Sequence, residues 1–116
     1  MKKLTYVLLV SIGLFSLTSS QLLKTNLRIT VRNELGNLES GATVAVYKTK
    51  EDYEKSTNPV ALDKTNAKGI VTYEAMEAIV YYVTAEKGDR NNFGAGEKTE
   101  ALAPNKMNKM TVIISE

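Results

Sequence analysis

Short runs in which apolar and polar residues alternate, broken by glycine and asparagine, recur along residues 27–115. In the first run Leu27, Ile29 and Val31 fall on one face, and Arg28, Thr30 and Arg32 on the other. Successive side chains of a strand point to opposite sides of a sheet, so this spacing predicts one buried and one solvated face. The run opened by Gly41 repeats the pattern, with Ala42, Val44 and Val46 inward. Further strands are predicted at 59–65, 70–74, 79–86, 98–103 and 109–115, the last with Met110, Val112 and Ile114 inward. Turns separate them: Asn33-Glu34-Leu35-Gly36-Asn37 after the first, and Asn66-Ala67-Lys68-Gly69 between the third and fourth. About seven short strands with a turn signal roughly every 8–12 residues describe a small all-β sandwich.

Details refine this outline. Pro59 has no amide to donate, which sends the third strand to a sheet edge. The tight turn at 66–69 predicts that the third and fourth strands form a hairpin. In the fifth strand Ile79, Tyr81, Val83 and Ala85 form the apolar face, so Tyr82 points outward. Thr49-Lys50-Glu51-Asp52 has the form of a helix-start box, with Thr49 as cap. The helix that follows is too short to stand alone, and Tyr53 is its expected anchor. Residues 87–97 read as a Gly- and Asn-rich loop, and 104–105 as a turn.

The start of the chain is of another kind. Lys2 and Lys3 precede an apolar run over 4–17, followed by the small residues Thr18, Ser19 and Ser20. A basic start, an apolar centre and a small-residue end predict a secretory signal peptide. The run is short for a membrane span, which needs roughly 20 apolar residues. The expected division is a signal at 1–20, a flexible leader at 21–26 and a sandwich at 27–116. Leu17-Thr18-Ser19 also resembles the residues before the lipid-bearing cysteine of a bacterial lipoprotein, with Ser20 where that cysteine would stand. A serine takes no thioether lipid, so membrane attachment is expected only if Ser20 replaces a native cysteine.

The chain carries 15 basic and 13 acidic side chains. Lys2 and Lys3 belong to the signal, which holds no acid, so the remainder balances at 13 against 13. A neutral domain offers no overall field for nucleic acid or an anionic membrane. Cysteine and histidine are absent, which removes disulfide staples, most transition-metal sites and the Ser-His-Asp and Cys-His constellations. No cofactor and no catalysis are expected.

Three groups of residues are candidate sites. The carboxylates Glu51, Asp52 and Glu54, and the pair Glu97 and Glu100, are interleaved with Lys50, Lys55 and Lys98 and read as solvated faces. Asp89, Asn91, Gly94 and Glu100 match positions 1, 3, 6 and 12 of a calcium loop, but position 5 is Phe93, and a plain strand connection is preferred. Tyr47, Tyr53, Tyr82 and Phe93 are candidates for stacking on a sugar or peptide, against a packing role over the short helix.

Asn33, Gly36, Gly41-Ala42-x-Val44 and Tyr47, then Thr65-Asn66, Gly69-x-Val71 and Tyr81-x-Val83-x-Ala85, resemble the carboxypeptidase-regulatory-like and Cna-B-like modules. The resemblance implies a transthyretin-like seven-strand Greek-key sandwich over nearly all of the chain after the signal. It also has the style of small exported proteins of Bacteroidetes-type bacteria. Some Cna-B modules carry a Lys–Asn cross-link between first and last strands; here the first strand offers only Arg28 and Arg32, and the predicted last strand, 109–115, holds no asparagine. The related purine-pathway hydrolases use histidines, which this chain lacks. The resemblance implies a non-catalytic structural or interaction module of the cell envelope, periplasmic, at the cell surface or associated with the outer membrane, with a protein partner. The alternative is a starch-binding-like carbohydrate module. A surface row of coplanar aromatics would favour sugar; an apolar strip along an edge strand would favour protein.

Overall fold

The computed structural model describes residues 24–116. The expected signal segment, with Ser20, and residues 21–23 lie outside the described residues. Seven strands and one helix follow: β1 (Asn26–Asn33), β2 (Thr43–Tyr47), α1 (Lys50–Lys55), β3 (Ala61–Lys64), β4 (Ile70–Tyr73), β5 (Tyr82–Lys87), β6 (Arg90–Asn91) and β7 (Met107–Ile114). They form a sandwich of two sheets, ordered β4-β1-β7 and β3-β2-β5-β6. In the first, β1 pairs antiparallel with β4 and parallel with β7.

The alternation read from sequence fills the space between the sheets. Leu27, Ile29 and Val31 of β1 and Val112 and Ile114 of β7 meet Val44 and Val46 of β2 and Val83 and Ala85 of β5, all essentially without solvent contact. Burying a Val, Leu or Ile side chain stabilises by about 1.5–3 kcal/mol. With no disulfide, this packing is the main source of stability. Tyr73 spans the layers, its hydroxyl donating to the Val44 carbonyl at 3.2 Å. Burial, then the charge of Asp63, raises the pKa of that phenol.

The two sheets are joined along one side. Asn91 and Ser115 exchange backbone hydrogen bonds of 3.0 and 3.1 Å, tying β6 to the end of β7. The free edges are therefore β3 and β4.

Several expectations need correction. The third and fourth strands are not a hairpin: β3 belongs to one sheet and β4 to the other, so the turn at 66–69 is a crossover. Gly69 makes it passable. Its φ is +75°, and a Cβ there would stand 3.1 Å from both the Glu39 nitrogen and the Val31 oxygen. Residues 98–103 form no strand beyond a single bridge from Lys98 to Tyr82. The sixth strand lies instead within the expected loop, as β6. The end of the expected leader is ordered: Asn26 opens β1, and Thr25 is buried, its hydroxyl accepting from the Asn105 nitrogen. The last strand begins at Met107 and so contains Asn108.

The outer faces of the sheets differ. α1 lies over β2 and β5 on the four-stranded sheet, held by the buried Tyr53. Thr49 caps it, accepting from the Asp52 nitrogen at 3.0 Å. Among the described residues no helix covers the three-stranded sheet.

Candidate functional site

Three of the four candidate aromatics form one packed cluster beneath α1. The Tyr47 and Tyr53 rings meet edge to face, 6.2 Å apart at 76°, and Tyr82 lies against Tyr53 at 5.4 Å and 33°. Tyr47 and Tyr53 are buried and Tyr82 half-buried, so they cover the short helix rather than present a row of parallel rings. Tyr82 does face outward from its strand, as read, but under the helix. Phe93 stands apart, 52% exposed. It rims a groove of about 340 Å³ between α1 and the loop after β6, lined also by Lys50, Tyr53, Glu54 and Thr84. The Tyr53 hydroxyl accepts from the Gly96 nitrogen at 2.8 Å, which pins this loop to the helix.

Beside Tyr81 and β5, side chains of Asn92 and Thr99 take the part of a strand. The Asn92 side chain donates to the Val83 carbonyl at 3.1 Å and accepts from the Ala85 nitrogen at 2.8 Å. The Thr99 hydroxyl accepts from the Tyr81 nitrogen at 3.0 Å, and the Thr99 nitrogen donates to the Tyr81 carbonyl at 2.8 Å. A buried backbone group must find a partner, and here side chains supply it.

The most polar interior point was not singled out by sequence. Glu39, its side chain 9% exposed, accepts from Asn33 at 2.9 Å, Arg90 at 3.0 Å and Lys87 at 3.2 Å. The Asn33 hydrogen bond, then that from Lys87, holds its carboxyl below the ordinary value; burial opposes them, and the charges of Lys87 and Arg90 add to the lowering. Asn33 also accepts from the Leu35 and Asn37 nitrogens, closing the turn around Gly36. The cluster ties the β1–β2 connection to the β5–β6 hairpin. No local pattern marked Glu39, because its partners lie 6 to 51 residues away.

The free edge at β3 carries an apolar strip: Val60 is 47% and Leu62 62% exposed. The Thr65 nitrogen donates to the Ala42 carbonyl, so by alternation Leu62 and Lys64 turn their backbone groups to the free side. The Lys64 nitrogen is capped by the Asp63 carboxylate at 2.8 Å. On β4, Asn66 caps the Ile70 nitrogen with its side chain at 3.1 Å and donates its own nitrogen to the Ile70 carbonyl. Local caps shorten both edges available for strand addition.

The remaining candidates are scattered. Glu51 pairs with Lys55 on the exposed face of α1. Asp89 lies between β5 and β6, Asn91 is committed to β6 and accepts from the Phe93 nitrogen, and Glu100 is exposed beyond the loop. Among the described residues no three such acidic groups gather around one point. Asn108 corrects the expectation for the last strand without restoring a cross-link. Its side chain donates to the Asn26, Ala103 and Lys106 carbonyls, its strand partner is Leu27, and β1 has no lysine.

No protein-family model and no curated protein matches this sequence. Solved structures do share its fold. The group B streptococcus pilus 2b backbone protein superposes with a TM-score of 0.60 at 15% identity, over 78% of this chain and 40% of that one. The Bacillus anthracis TIE protein gives 0.56 at 17% identity, over 79% of this chain and 17% of that one. BcpA, the major pilin subunit of Bacillus cereus, gives 0.50 at 13% identity, over 81% and 30%. The chain thus spans less than half the length of each. At these identities the likeness concerns fold alone, and it supports the all-β sandwich.

Proposed function

We propose that this chain is a non-catalytic structural and interaction module of the cell envelope, exported by its first 20 residues, that engages a protein partner. The observation that carries the reading is the Val60–Leu62 strip on the free edge of the sandwich, while Tyr47, Tyr53 and Tyr82, the candidates for stacking on a sugar, take the packing role under α1. Fold-sharing proteins described as a pilus backbone and a major pilin subunit lend support for an envelope role. The absence of histidine and cysteine from the whole sequence, and the lysine pairing of Glu51, support a role without catalysis. Attachment to a membrane enters only through a native cysteine in place of Ser20. The carbohydrate alternative rests on Phe93 and its groove.

A photo-reactive side chain in place of Leu62, in protein made by an exporting bacterium, tests the reading. It should trap one discrete envelope protein, and Leu62→Lys should reduce its co-purification. Failure to trap any protein, together with glycan binding lost in Phe93→Ala, would establish the carbohydrate alternative.

A further inference from the structure

The neutrality of the domain hides a local imbalance. The outer face of the three-stranded sheet is set by register: Thr72, Arg28 and Lys109 form one row, Ile70, Thr30 and Thr111 the next, and Arg32 with Ile113 a third. None of the residues in β1, β4 and β7 is Asp or Glu, whereas β3 and β5 of the other sheet carry Asp63 and Glu86. Among the described residues Arg28, Arg32 and Lys109 form no ion pair, and residues 1–23 contain no acid. The Arg32 side chain donates to the Gly36 carbonyl at 2.7 Å. Among the described residues the Arg28 Nε is buried and has no hydrogen-bond partner. A buried polar atom without a partner is costly, and a carboxylate on the remaining N–H groups of the guanidinium would offset that cost by charge.

We infer that this open face is a docking surface for a protein segment rich in Asp and Glu, a conclusion that rests on the protein-partner reading above. Charge complementarity selects the carboxylates: the three cations share strands that hold no acid, and Glu74, just past β4, is paired with Lys24. The chemistry of the rest selects protein over an acidic glycan or an anionic membrane. The face has no aromatic ring on which a sugar would stack, since Tyr73 points inward from β4 and bonds Val44. Its apolar members in these rows, Ile70 beside Thr30 and Ile113 beside Arg32, are kept apart by Thr30 and Thr111, which suits side-chain packing rather than insertion into lipid. Arginine, which supplies two of the three cations here, is among the residues enriched at protein interfaces.

Poly-L-glutamate, poly-D-galacturonate and vesicles of anionic phospholipid serve as probes with the purified protein. Poly-L-glutamate should shift backbone amide resonances of β1, β4 and β7 and leave those of α1 unmoved. Replacing Arg28, Arg32 and Lys109 together by Gln should weaken this binding at least tenfold. Replacing Lys50, Lys55 and Lys98 by Gln should change it less than twofold. Equal loss in both triple variants, or shifts spread over the whole surface, would overturn the inference. So would tighter binding of the galacturonate or the vesicles to this face. In cells, a photo-reactive group at Thr111 should trap a peptide rich in Asp and Glu. Trapping at position 62 but not 111 overturns the face alone; trapping at neither overturns the protein-partner reading as well.

Discussion

The outer faces of the two sheets obey different rules. On the three-stranded sheet alternation is strict: β1 reads half-buried, buried, half-buried along its whole length, with Arg28, Thr30 and Arg32 outward. On the four-stranded sheet the alternation fails, because Ala45, Tyr47 and Thr84 are buried on the side that should be wet. The cause is α1. A helix of six residues cannot persist without tertiary support, and the outward tyrosines of β2 and β5 provide it. A covered sheet face recruits large apolar side chains at both parities, while an open face retains charge and hydroxyl.

Perturbing positions on each face in turn tests this contrast, beginning with the interior that both sheets share. Ile29→Ala should cost about 3 kcal/mol, since it leaves a cavity in a site that excludes solvent. Urea denaturation measures it, and a cost near that of a surface change would mean the register of β1 is wrong. On the covered face, Tyr53→Ala should also cost about 3 kcal/mol, and Tyr53→Phe only about 1, by losing the bond from Gly96. If Tyr53→Ala is tolerated, the helix is not what distinguishes the faces. At the crossover joining the sheets, Gly69→Ala should cost about 2 kcal/mol, from backbone strain at positive φ together with the close approach of Val31 and Glu39.

A conditional effect comes next. The Glu39 carboxyl lies below its ordinary value in the folded protein, chiefly through Asn33 and then Lys87. Its contribution is therefore complete above the unfolded-chain value of about 4.3 and fades as the pH falls through the folded value. Urea midpoints at pH 6 and pH 3.5 should separate more in the native protein than in Glu39→Gln; equal separation would assign the acid sensitivity elsewhere. The smallest effect belongs to the open face: Thr30→Ala and Thr111→Ala should each change stability by no more than about 0.5 kcal/mol. A larger loss in either would show that this face is covered in the folded protein after all.

What was legible in the sequence follows the same division. Wherever a strand has one wet face, period-two alternation names its buried residues, so Leu27, Ile29, Val31, Val44, Val46, Val83, Val112 and Ile114 were all placed correctly. The Thr49 cap and the Tyr53 anchor were legible because capping acts over three residues and the anchor lies on the helix itself. Sheet membership of β3 and β4 was not, because a tight turn looks alike whether it closes a hairpin or crosses between layers. Residues 98–103 form no strand because Thr99 meets Tyr81, just before β5, through its hydroxyl and a single backbone contact, without a ladder. Glu39 escaped notice because its meaning depends on Lys87 and Arg90, which only the fold brings near. The basic face was hidden by a net charge of zero, a sum that carries no information about position.

The parallel pairing of β1 with β7 has a mechanical consequence. The first and last strands of the domain lie side by side, in register over eight residue pairs from Asn26↔Met107 to Asn33↔Ile114. Tension applied at the start of β1 and the end of β7 pulls the two strands past each other lengthwise. The load then falls on the whole ladder in shear, and its bonds share it, instead of unzipping one pair at a time. Resistance to pulling is thus concentrated in this one seam, and the turns and loops elsewhere in the domain are shielded until it gives way.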